Sequence, residues 1–176
     1  MLYSISALVQ ASWPALKAIR LDGNPSAADA MAHLSKVDWP SLERLYLCRL
    51  WLDELSNADW PLLKTLQISL NNFEPEATSQ LARAHWPLLE SLTVSFKVVD
   101  GTAIKSLIKG NWPLLKELVV DTTTSSSHDP FVGWDKQRLQ AWQNVEEGCM
   151  QMCRDRWQQL ESLELPCAQH ISAQLC

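Results

Sequence analysis

Any chemistry in this chain has to start from its cysteines and histidines, the side chains that ligate metals and act as nucleophiles or bases near neutral pH. Cys149 and Cys153 stand one helical turn apart, with Cys167, His170 and His128 as further ligands for a zinc ion. The paired CxxC spacing of a structural zinc site is missing. The simpler reading packs Cys149 in a core, puts Cys153 at its margin and leaves the tail residues loose. Nucleophilic catalysis needs a nucleophile held beside a base, and no local motif ties His33, His85 or His128 to any of the serines. Phosphate-binding loops need clustered glycines, whereas the five here lie apart at 23, 101, 110, 133 and 148. The expectation is a protein that is not an enzyme, with no catalytic residues, no cofactor and no metal.

The elements that would position any site are written in a repeat. Taking the Trp of each Trp-Pro pair as position zero gives Trp13, Trp39, Trp60, Trp86 and Trp112, separated by 26, 21, 26 and 26 residues. Position +3 is Leu16, Leu42, Leu63, Leu89 and Leu115, and position +6 is Ile19, Leu45, Leu66, Leu92 and Leu118. Position +8 is Leu21, Leu47, Ile68, Val94 and Val120. Apolar residues alternating at +6 and +8 predict a short strand with one buried face. Upstream, position −5 is Leu in every copy (Leu8, Leu34, Leu55, Leu81, Leu107), and position −8 is Ile5, Met31, Leu52, Thr78 and Ile104. Offsets of three along one face predict a helix. Each unit is thus a strand, a loop and a helix.

The LxxLxL strand followed by a helix at this period resembles the leucine-rich repeat. WPxLxxLxL is similar to the cysteine-containing subclass of F-box-associated proteins, with Trp where that subclass has Cys. The resemblance implies an α/β solenoid, with a short curved parallel sheet on the concave side and helices on the convex side. It covers regular repeats over about 4–121 and a degenerate copy at Trp157, Leu160, Leu163 and Leu165. The asparagine usual at +11 survives only as Asn24 and Asn71, replaced elsewhere by Leu50, Lys97 and Thr123.

The whole chain reads as a single domain, 1–176: repeats over about 4–121, a loop and lengthened helix over 122–156, and a last repeat over 157–176. The second unit is short, so its helix is expected to shrink to about one turn, with Trp51 filling space. A polar run, DTTTSSSHDP, opens the long insertion, and Leu139, Trp142, Val145, Cys149 and Met152 follow at amphipathic helical spacing. A residue before proline disfavours the helical region, so each helix is expected to end at its Trp and each Pro to start the extended segment. The indoles are expected to stack at the helix-to-strand corner. Neither end reads as a polar cap, which predicts either a fragment of a longer frame or self-association through an open solenoid end.

Composition agrees with a packed domain, since 47% of 176 residues are hydrophobic. The net charge of −5 and the absence of a basic run argue against a nucleic acid or anionic membrane as partner. No eighteen-residue apolar run is present, and the opening MLYSISALVQ lacks a basic leader and falls in phase with the repeat. Five scattered cysteines fit a reducing, cytoplasmic location better than a disulfide framework.

Function is then left to the outward strand positions +5, +7 and +9. There Arg20, Arg44 and Tyr46, reinforced by Arg49, give way through Gln67 and Thr93 to Glu117 and Asp121. Arg and Tyr are enriched at the energetic centres of interfaces, so this face is expected to bind an unknown protein partner. The resemblance implies an alternative, the substrate-recognition part of an F-box-type ubiquitin-ligase adaptor.

Overall fold

The computed structural model describes residues 12–22, 30–48, 55–69, 75–96, 101–122, 153 and 155–165. Strands β1 (Ala18–Asp22), β2 (Arg44–Cys48), β3 (Thr65–Ser69), β4 (Ser91–Phe96), β5 (Glu117–Thr122) and β6 (Ser162–Glu164) form one sheet in chain order, every neighbouring pair parallel. Between them lie α1 (Ala30–Leu34), a 3-10 turn (Leu55–Asn57), α2 (Pro75–Arg83) and α3 (Gly101–Leu107). The architecture is α/β, built on a six-stranded, wholly parallel sheet.

Register follows the repeat column by column. Ile19 pairs with Leu45, Leu45 with Leu66, Leu66 with Leu92, Leu92 with Leu118 and Leu118 with Leu163. A slip of one residue would turn the apolar set of a strand to the other face, so burial at +6 and +8 fixes this pairing. Leu45, Leu66, Leu92, Leu47, Ile68 and Val94 are fully buried and join Leu34, Leu55, Leu81 and Leu107 of the helical segments in one core. At the outer strands Ile19, Leu21 and Leu163 are only half-buried, each having a strand neighbour on one side alone among the described residues.

In the short second unit the strand keeps its five residues, Arg44–Cys48. A 3-10 turn at Leu55–Asn57 precedes Trp60, and residues 49–54, where the rest of the shortened helix is expected, lie outside the described residues. Trp51, the first helix with Ile5 and Leu8, the long insertion with Cys149 and Met152, and all five +11 positions lie outside the described residues.

The corner corrects the expectation for proline. The Leu +3 N–H donates to the Trp carbonyl at 3.1 Å in all five Trp-Pro copies, so Pro14, Pro40, Pro61, Pro87 and Pro113 each occupy the second position of a β-turn. Proline's fixed φ suits that position, and the strand starts only at +5. In the sixth copy Gln158 stands in the same place and the Leu160 to Trp157 bond still forms, at 3.0 Å.

Helices also stop earlier than expected. The −2 N–H donates to the −5 Leu carbonyl in four units, at 2.8–3.1 Å, tightening the last turn before the Trp is reached. Behind this corner the indoles stack: Trp39 on Trp60 at 6.0 Å, Trp60 on Trp86 at 6.3 Å and Trp112 on Trp157 at 5.8 Å between ring centroids. Trp13 departs from the pattern and is 43% exposed. Cys153 departs too: expected at the margin, it is fully buried, and its carbonyl accepts the Trp157 N–H at 2.8 Å, so position −4 of that unit packs inward.

Candidate functional site

The open face of the sheet is where side chains escape the demands of packing. Alternation along each strand sends +5, +7 and +9 away from the core. Arg20, Arg44, Gln67, Glu117 and Asp121 are exposed, and Tyr46 and Thr93 are half-buried. Arg49 lies outside the described residues. Register places Arg20 directly beside Tyr46, and Arg44 sits two residues from Tyr46 on the same strand, so all three project from one corner of the face. Ser95, an outward +9 residue expected to meet water, is instead buried at 8% exposure.

Among the described residues neither Arg20 nor Arg44 forms an ion pair. At the opposite side of the face the Ser91 hydroxyl donates to a Glu117 carboxylate oxygen at 2.6 Å. This holds the acid in place while leaving it exposed.

A second set of charged residues escapes a search for recurring residue types. Position +4 reads Lys17, Glu43, Lys64, Glu90, Lys116 and Glu161, alternating in sign from one unit to the next. Every +4 carbonyl but the last accepts two N–H groups, from +4 and +5 of the next unit, at 2.7–3.0 Å. That shared geometry aligns the side chains along the rim of the sheet. Lys17 and Lys64 reach Glu43 at 3.3 and 3.4 Å, and Lys116 reaches Glu90 at 2.9 Å. The signal was available as an alternation of sign at fixed phase.

The rim pairs pull the carboxylates below their ordinary value of 4.5. For Glu43 the hydrogen bond from Lys17 leads, followed by the charge of Lys64; for Glu90 the bond and then the charge of Lys116 dominate. Glu90 in turn raises Lys116 above 10.5. A carboxylate depressed in the folded state stabilises the fold above its unfolded pKa, and that contribution is lost as pH falls through the folded value. A Glu43→Gln, Glu90→Gln variant is therefore expected to unfold with a flatter pH dependence below about pH 4.5. The difference should shrink in high salt, since the pairs are exposed. Superimposable acid limbs in thermal melts would show that the rim adds nothing.

Among the described residues no three His, Cys, Asp or Glu side chains gather to hold a metal ion, and no helix is long and apolar enough to cross a membrane. Cys149, Cys167, His128 and His170 lie outside the described residues. Comparison with protein-family models, with curated proteins and with solved structures finds no match.

Proposed function

We propose that the chain is a leucine-rich-repeat solenoid acting as a non-catalytic scaffold, holding a partner protein against the open face of its sheet in the cytoplasm. The observation that carries this reading is the contrast between two sets of cations. Lys17, Lys64 and Lys116 on the rim are paired with glutamates, whereas Arg20 and Arg44 on the face have no ion-pair partner among the described residues and flank Tyr46. A planar guanidinium with its donors unspent, beside a phenol, is well suited to accept a partner's carboxylate or backbone carbonyl.

The reading is tested by capture from a cytosolic extract with wild type, with an Arg44→Glu, Tyr46→Ala variant, and with Lys105→Glu as an exposed control on α3. Residues at the centre of an interface typically cost about 2 kcal/mol or more when lost, roughly thirtyfold in affinity. The face variant is expected to lose its specific partner while the control keeps it. The same proteins captured by all three would sink this surface.

A further inference from the structure

Charge on the open face is sorted by strand. In columns +5 and +7, β1 and β2 carry Arg20 and Arg44 with no acid. Strands β3 and β4 carry only neutral polar groups, Thr65, Gln67, Ser91 and Thr93. Strands β5 and β6 carry Glu117 and Glu164, both exposed, with no base. Column +9 does not share this polarity, since Asp22 and Asp121 stand at its two sides. The sorted rows therefore run across the strands at +5 and +7.

Resting on the reading of this face as the binding surface, we infer that its occupant is an extended peptide segment laid across the strands. Its acidic group sits over Arg20 and Arg44, and its basic group, about six residues away, sits over Glu117 and Glu164. The spacing follows from the sheet. The mean positions of the cationic pair and the anionic pair are four strand intervals apart, about 19 Å at roughly 4.8 Å per interval. An extended chain advances about 3.3 Å per residue, so about six residues bridge that span.

The two ends also act separately. Their separation exceeds two Debye lengths at physiological salt, about 8 Å each, so neither charge pair screens or reinforces the other. The hydroxyl and amide groups between them offer hydrogen bonds without further charge selection. A uniformly acidic or uniformly basic segment would meet like charge at one side, which is costly. The face thus selects for polarity along the peptide.

Fluorescence anisotropy at low salt tests this with labelled nonapeptides on the intact chain. Glu-Glu-Glu-Gly-Ser-Gly-Lys-Lys-Lys and its reverse, Lys-Lys-Lys-Gly-Ser-Gly-Glu-Glu-Glu, are compared with a peptide of the same composition alternating Glu and Lys. Both block peptides, which present the same charges when turned end for end, are expected to bind at least about tenfold tighter than the alternating one, an advantage lost in an Arg20→Glu, Arg44→Glu variant. Adding Glu117→Lys and Glu164→Lys to that variant inverts the face, and the preference for the block peptides over the alternating one should return. Equal binding of all three peptides, or none, overturns the inference. If that result accompanied loss of a captured protein in the Arg44→Glu, Tyr46→Ala variant, the binding face would stand and only the peptide's charge pattern would fall. A block preference beside unchanged capture would separate them the other way.

Discussion

Trp60→Ala is expected to destabilise the fold by about 3–5 kcal/mol, read as a lower urea midpoint with the slope of the transition unchanged. The indole has no exposed surface and lies between Trp39 and Trp86, at interplanar angles of 21° and 9°. Truncation removes both stacking contacts and leaves a ring-sized cavity at a corner already closed by two turns. Domains are typically stable by about 5–15 kcal/mol, so the variant would stand near its limit. Trp60→Phe separates area from hydrogen bonding. Among the described residues the Trp60 Nε1 donates to no protein acceptor, as is true of Trp39, Trp86, Trp112 and Trp157. Phe therefore forfeits no hydrogen bond and removes a buried donor that costs free energy while unpaired. Its penalty should be well under half that of Ala. Equal penalties would place the energetics in the N–H group, and wild-type stability for Trp60→Ala would remove the indoles from the core.

Much of this architecture was legible because each column repeats one residue type at one phase. Leu45, Leu66, Leu92 and Leu118 predict both the strand and its register, since identical buried positions in successive units can only align with one another. Proline misled because a local bias was read in isolation. The residue before Pro40 is indeed kept from continuing a helix, but the hydrogen bond from Leu42 back to Trp39 makes the pair a turn, and that bond needs the chain to fold back.

What escaped the sequence depends on neighbours. Trp13 and Trp60 are indistinguishable as letters, yet one is 43% exposed and the other fully buried. The rim of alternating lysines and glutamates was overlooked because its regularity is of opposition, and a search for sameness averages it away. Arg20, Arg44 and Tyr46 could be named as residues the repeat does not dictate. Whether their charges were already paired, as those of Lys17 and Lys116 are, required the side chains in place. On the open face, then, sequence located the freedom and structure located the unspent charge.

Gly110→Ala is the second large effect, expected to cost about 1–3 kcal/mol from overpacking. Position −2 is small in four of the five copies, Val37 being the exception, with Ala58 and Ala84 buried in the same column ahead of Trp60 and Trp86. A methyl group at 110 would meet three ring carbons of Trp112 at 2.5, 2.5 and 2.7 Å. Carbon atoms rest comfortably at about 3.5–4.0 Å, so a shift of roughly 1 Å is required. The indole is not free to supply it, being fully buried and stacked on Trp157 at 18°. The backbone is held as well. Gly110 N–H donates to the Leu107 carbonyl at 2.8 Å, while the Arg156 guanidinium donates to the carbonyls of Gly110 and Lys109 at 3.2 Å each. Alanine also restricts the unfolded chain, which favours folding by about 0.4–1 kcal/mol, but this is smaller than the clash it opposes. A double-mutant cycle identifies the cause: Trp112→Phe, with a smaller ring, should recover part of the loss in the Gly110→Ala background while being destabilising on its own. Additive penalties would mean the methyl meets something other than the indole, and a Gly110→Ala protein as stable as wild type would mean the ring does not lie against this glycine.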